Sequence, residues 1–287
     1  MPNIFNRTSR NVDKINGESK FIAPLGLGLE SRTRTSLHNI APLSLFAAGT
    51  ITTTKRTFGM PLGSAINIGN EPSTGLILSV ASTNANDTSA GTGAQQITIQ
   101  GLDINWEPLT ESGILLNGQT PVSTTNEFYR LNKIWVDDVG SNTKNFGDIY
   151  ISDTSDTFIG GIPQNRVYIA MIAGENNSTY GTISFGAHKE AFLTTATLYT
   201  NATPNNPVII QERYTGLNFT GGNTEGRTSY SSGPLWFTGN VGYDFTGFGQ
   251  YTEKTTINWI VSSSTGTNEG TFYYTFSVND IAKRSHV

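Results

Sequence analysis

The chain has 287 residues and a formal net charge of −4, with 14% charged and 10% aromatic side chains and no cysteine. The lack of cysteine excludes disulfides, thiolate nucleophiles and cysteine-ligated metals together, and the aromatic content argues against disorder because it supplies enough apolar surface to offset chain entropy. So few charges leave Ser, Thr, Asn, Gln and Gly to build the surface, and 31 glycines, many beside Asn, predict frequent turns and few helices.

Residues 1–56 read differently from the rest. They carry eight Lys and Arg against Asp13, Glu18 and Glu30, a net +5 that leaves −9 for residues 57–287. FIAPLGLGLE and NIAPLSLFAAGT mix Pro, Gly and isolated leucines with no sustained period. This predicts an extended basic arm whose apolar residues are covered by a partner; the plain alternative is an N-terminal strand with loops of the same domain. MPNIFNRTSR lacks the apolar block of a signal peptide, and no run reaches the roughly 18 apolar residues of a membrane span. The expectation is synthesis and assembly in a cytoplasm. Asn-x-Ser/Thr triplets at Asn86, Asn177, Asn201 and Asn218 are read as chance in so Asn- and Thr-rich a chain.

From residue 75 strand signals recur. GLILSVAS (75–82) is a near-continuous apolar run that suits a buried strand. After the turn-rich NANDTSAGTG (84–93) come QQITIQGLDINW, ILLNG, EFYRLNKIWVDD and GDIYISD, then RVYIAMIAG and TISFG. AFLTTATLYT (191–200), PVIIQERYT (207–215), PLWFTG (234–239), TTINWIVSS (255–263) and GTFYYTFSV (270–278) complete the series. Strands at this spacing with turn chemistry between them predict an all-β, jelly-roll-like antiparallel β-sandwich over residues 57–287, preceded by the arm. AHKEAFLT is the one weak helical stretch. GLNFTGGNTEGRTSYSSG (216–233) is the longest low-complexity loop, readable as a partner-ordered loop or a plain connector.

The residues assemble no reactive centre. His38, His188 and His286 lie in the arm, in a turn and next to the end, and none sits at a ligand spacing from another. His188 in GAHKE is the only candidate for a nucleophile's base, and a solvated turn histidine is the simpler reading. Asp137 and Asp138 are adjacent and on a strand point to opposite faces, so they do not form a glycosidase pair. Glu175, Glu190 and Glu212 are dispersed. Asp153 and Asp156 in SDTSD suit turn capping better than calcium. GTGAQQ (91–96) precedes a strand, whereas a phosphate loop opens a helix. At −9 the body has the wrong sign for nucleic acid. No catalytic, cofactor or metal residue is therefore assigned. Trp106, Trp135 and Trp259 read as core, as does Trp236 by default, but YSSGPLWFTGNVGYDFTGFGQY (230–251) alternates aromatics with glycine like an adaptable recognition surface or an inter-subunit contact.

The motif order resembles a family of tailed-bacteriophage virion structural proteins of the cyanophage and marine-phage type. The similarity covers about residues 70–280. It rests on residues 87–136, with GLDINW and the ILLNGQTPVSTT hairpin, on GDIYIS (147–152), on residues 166–199, and on YTEKTTINWIVSSSTGTNEGTFYYTFSV (251–278). Two departures stand out. A Val-Pro-x-Gly-Lys turn of the family is SFGAHKE here, with Lys189 kept, and an Asp of its EKTDI strand is Thr256 here. The resemblance implies a non-enzymatic virion component, first a capsid decoration or cement protein, next a tail- or connector-associated or receptor-binding protein. A carbohydrate-binding or glycan-degrading sandwich is the reading from another class. The implied partners are further copies of the chain, with a trimer the first expectation, and the major capsid or other virion proteins.

Overall fold

The computed structural model describes residues 12–15, 18–21, 41–62, 71–217, 227–231, 235–238 and 250–280. All of its regular structure among these residues is strand. β1 (Val12–Ile15) and β2 (Glu18–Phe21) form a hairpin. β3 (Ala41–Ile51) and β4 (Arg56–Thr57) follow. The middle of the chain supplies β5 (Leu78–Ser82), β6 (Ala94–Leu102), β7 (Pro108–Leu115), β8 (Val122–Ser123), β9 (Arg130–Val139), β10 (Ile149–Asp153), β11 (Phe158–Ile159), β12 (Ile162–Pro163) and β13 (Ile169–Met171). The last third supplies β14 (Thr182–Ser184), β15 (Lys189–Thr200), β16 (Val208–Leu217), β17 (Arg227–Ser231), β18 (Leu235–Phe237), β19 (Gln250–Tyr251), β20 (Thr256–Ser263) and β21 (Asn268–Asp280). The stretch AHKEAFLT lies at the start of β15, where antiparallel pairing with β21 decides its conformation.

The all-β sandwich expectation holds, but the core is split into two large clusters and a small third of Leu102, Trp106 and Tyr129. One layer pair consists of the sheet β19-β15-β21-β3 and the sheet β14-β20-β16-β17, to which β18 and β4 attach. Phe272, Tyr274 and Phe276 point inward from β21 and meet Ile257, Trp259 and Val261 of β20. Thr271, Tyr273 and Thr275, in alternation with them, point outward, as the period of a strand requires. The second layer pair is the sheet β13-β10-β5-β8 against β7-β6-β9. Its core gathers Leu78, Val80, Ile97, Ile99, Ile134, Tyr150 and Ile169. The single sandwich expected over 57–287 is thus two, the second built from the middle of the chain and inserted between the strands of the first.

The insertion points are two glycines. Phe58 belongs to the first core and Met60 to the second; Tyr180 belongs to the second and Ile183 to the first. Gly59 lies between the first pair with φ +80°, and a Cβ there would sit 1.8 Å from the Thr179 carbonyl oxygen. No other residue type suits that backbone and that approach. The Gly181 N–H donates to the Phe58 carbonyl (2.8 Å), the Trp259 N–H to the Gly181 carbonyl (2.7 Å) and the Phe58 N–H to the Trp259 carbonyl (2.9 Å). Both crossings are tied to the same point of β20.

The arm boundary expected at residue 56 also shifts. β3 pairs along its whole length with β21, with Ala47 and Ile51 fully buried, and β4 pairs with β20. The irregular Pro, Gly and Leu content of this stretch hid a strand that takes its order from β21. What remains of the expected arm is residues 1–40, of which only the β1–β2 hairpin falls within the described residues.

Candidate interaction surfaces

The buried face between the two cores is polar. β20 is buried along its entire length, so Ile257 and Trp259 enter the first core while Thr256 and Asn258 face the other way. Opposite them stand Arg130 and Asn132 of β9, with Thr182 and Ser184 of β14 beside them. Arg130 is almost fully buried, and its Nε lies 3.4 Å from Glu71 Oε2. Its Nε also donates to Thr256 Oγ1 (3.3 Å) and its Nη1 to the Pro72 carbonyl (2.8 Å). The guanidinium carbon lies 3.8 Å from the Tyr129 ring centroid and 4.9 Å from that of Trp106, a cation held against two ring faces. Asn258 Nδ2 donates to Glu71 Oε1, Thr182 Oγ1 to Asn258 Oδ1, and Asn132 exchanges two bonds with the Ser184 backbone. These groups satisfy one another and join the two halves. Thr256 lies in this seam.

Among the described residues, the histidine and carboxylates weighed in the sequence lie dispersed over several strands and turns. The His188 ring is exposed at φ +59°, its Nδ1 3.7 Å from Glu253 Oε2, the same oxygen that accepts the His188 backbone N–H. It is the turn histidine that the sequence suggested. His38 and His286 lie outside the described residues. A register shift in the β6–β9 pairing places Asp138 opposite Gln96 and Val136 opposite Ile97, which leaves Asp137 as the extra residue of a bulge. Strict alternation fails there, contrary to expectation, and both carboxylates are exposed. Asp137 accepts the Thr98 hydroxyl. Glu175 is exposed, Glu190 is buried on β15, and Glu212 on β16 accepts the Tyr251 hydroxyl (2.8 Å). Burial pushes the Glu212 carboxyl above its usual range, partly offset by that bond, and burial likewise raises the Tyr251 phenol. Asp156 caps its loop: it accepts backbone N–H groups of Gln164, Asn165 and Arg166 and the Ser152 hydroxyl. Asp153 accepts the Ser155 N–H and lies 3.7 Å from the Arg166 guanidinium.

Sequence reasoning missed Asp87. Its carboxylate is fully buried and accepts four bonds, from the Ser82 hydroxyl and from the N–H groups of Ala94, Phe146 and Gly147. GTGAQQ is the wrap around it. A Cβ on Gly93 would sit 2.1 Å from Asp87 Oδ1, so the glycine answers a close approach and not a phosphate.

Two apolar features face outward. On the outer face of β15, β21 and β3, Phe46 stacks on Tyr273 at 5.8 Å and Tyr199 meets Tyr273 edge-on at 6.0 Å, all three more than a third exposed. On β18, Leu235 and Trp236 are exposed, the tryptophan 60%. Trp106 and Trp259 are core residues as expected, and Trp135 is half-buried under Lys133. Most of segment 230–251 lies outside the described residues.

No family model matches the chain, and no curated protein matches it. Solved structures to which it is similar include the structure of infectious bursal disease virus Gt strain, at 10% identity over 86% of this chain and 72% of that chain, with a TM-score of 0.17. The structure of infectious bursal disease virus Gx strain is similar at 10% identity over 89% and 74%, with a TM-score of 0.12. At such TM-scores neither likeness carries an argument.

Proposed function

We propose that the chain is a non-enzymatic virion structural protein, in the first place a capsid decoration or cement protein that binds copies of itself and neighbouring shell subunits. The observation that carries this reading is the exposed aromatic row Phe46, Tyr273 and Tyr199 on an ordered sheet face, a concentration of apolar surface that suits a protein contact. The similarity of residues 87–136 and 251–278 to phage virion proteins supports it. Labelling of purified particles with antibody against the chain, viewed by negative-stain microscopy, tests the reading. Label spread over the head fits decoration; label at the neck or tail moves the chain to a connector or tail station; unlabelled particles sink the virion reading. The arm reading needs a deletion that stops at residue 40, because residues 41–57 are structural strands. Loss of particle binding without loss of the fold is expected from that deletion.

A receptor- or glycan-binding appendage is the second reading, favoured by Trp236 at 60% exposure beside Leu235. A glycan array with the native chain and with Trp236→Ala separates it from the first. Binding that depends on Trp236 supports the appendage.

A further inference from the structure

We propose that the edge of β3 away from β21 is a self-association surface that pairs antiparallel with β3 of a second copy about a two-fold axis. This deepens, and rests on, the self-association part of the function proposed above.

In the four larger sheets, every sheet end among the described residues except β3 carries a device that blunts it. β8, β13, β14 and β19 are two or three residues long. β7 holds Pro108 and Glu111, with a register shift and Gly113 at φ +75°. β9 presents Lys133, Asp137 and Asp138 with its bulges, and β17 begins with Arg227. β3 ends its sheet with 11 residues, APLSLFAAGTI, and not one charge. A long, uncharged, apolar edge is a template for another strand.

The direction of its backbone is fixed by Ala48. The Ala48 N–H donates to the Thr179 carbonyl (3.2 Å), and the Thr179 hydroxyl donates to the Ala48 carbonyl (3.3 Å), on the side away from β21. Residues alternate along a strand, so Pro42, Ser44 and Phe46 also turn their backbone groups outward. Thr179 covers the far end of the strand, and the stretch around Ser44 and Phe46 is open among the described residues. Antiparallel pairing centred at Leu45 sets Ser44 against the partner's Phe46, and Phe46 against the partner's Ser44. Four N–H···O=C bonds result, two at each position.

The occupant is a second copy because the site matches itself. A two-fold axis satisfies both edges at once and closes the assembly, where a head-to-tail contact would leave an edge open. The flanking outer face is Thr197, Tyr199, Thr271 and Tyr273, without a charge, so two chains of net −4 meet here without opposed carboxylates. The nearest charge along β21, Glu269, accepts the Thr50 hydroxyl at the covered end. Joining the edges extends the row Phe46, Tyr273, Tyr199 across the axis into one aromatic strip. The pairing predicts dimers or even-numbered assemblies in place of the three-fold ring suggested by the sequence.

Sedimentation velocity of the full chain over a concentration series, with two variants, tests the pairing. Ser44→Pro removes one outward N–H, which proline leaves absent at an edge without breaking the sheet. Phe46→Lys places on the edge the charge that natural edges use. The expected result is a wild-type dimer and, for each variant with an unchanged circular-dichroism spectrum, a dissociation constant raised about ten-fold or more. If proline disturbs the fold, the lysine variant alone decides. A trimer that ignores both variants overturns the edge pairing and leaves self-association standing. A monomer at every concentration overturns both.

Discussion

Asp87 has four donors on one carboxylate and is fully excluded from solvent, so each of those donors would be left buried if the carboxylate changed. In Asp87→Asn one oxygen becomes an NH2 that faces donors, and a loss of about 3 kcal/mol is expected from the unsatisfied groups. Urea unfolding measures it, and an unchanged midpoint would show that the charge is not needed. The residue was invisible in the sequence because it sits in NANDTSAGTG, where Asp, Asn and Gly are already explained by turns; only the folded loop shows that the turn is wrapped around it. Glu212 behaves oppositely. Burial raises its pKa above the value in the unfolded chain, so its ionised form costs stability at neutral pH, and stability returns as pH falls through the raised pKa. Glu212→Gln keeps an acceptor for the Tyr251 hydroxyl and removes the charge. Its melting temperature is expected above wild type at pH 7, with the difference shrinking on acidification; a variant that melts below wild type at pH 7 would refute this.

Strand alternation carried most of the elements. β5, β10 and β20, buried on both faces, fall within GLILSVAS, GDIYISD and TTINWIVSS, and β16 and β21 overlap PVIIQERYT and GTFYYTFSV and run past them, because short apolar or alternating runs between turn residues leave their mark in any sequence. Irregularities were not legible. In β15 the register shifts between Leu193 and Thr195, so Leu193 and Ala196 both point inward; Thr194 is extra, and its hydroxyl donates to the Thr275 carbonyl. Nothing in LTTA announces that, since each residue accepts either face. The loop between β10 and β13 lends itself to a pH test. Partial burial pushes Asp156 up, but the bonds from Arg166, Asn165 and Ser152 outweigh it and leave the carboxyl below its usual range. A depressed pKa means that the loop's stabilisation is present above the unfolded value, about 3.9, and is lost as pH falls through the folded one. Protection of the Asn165 and Arg166 amides from hydrogen exchange is expected to drop below about pH 4, while amides of β10 keep theirs. Equal protection at pH 3 and pH 6 would count against the cap.

At the scale of the whole molecule, what the sequence concealed was the division into two cores. Alternation reports which side of a strand is buried, not what buries it. Thr256 and Asn258 alternate with the core residues Ile257 and Trp259 of β20, and they lie in the seam where Arg130, Glu71 and Ser184 meet them. The seam is polar, and the chain crosses between the halves only at Gly59 and Gly181 among the described residues, so cooperativity between the cores rests on a few specific bonds. Arg130 donates across the seam to Thr256 and holds Glu71, which in turn accepts Asn258 Nδ2 from the other half; it cannot be replaced by lysine, which lacks the fork and the flat face against Tyr129. Arg130→Ala removes the cation 3.4 Å from Glu71 and one donor to each of Pro72 and Thr256. The cost is about 3 kcal/mol, by the measure of a broken buried pair. That loss falls on the joint and on the Glu71–Pro72 stretch beside it, since neither large apolar cluster includes Arg130. The native chain is therefore expected to unfold in one calorimetric transition and the variant in two. The transition of the inserted half, residues 71–180, should move away from that of the half built around β15, β20 and β21. A variant that melts in a single transition at a lower temperature, with calorimetric and van't Hoff enthalpies equal, would mean that the halves are coupled by something other than this seam.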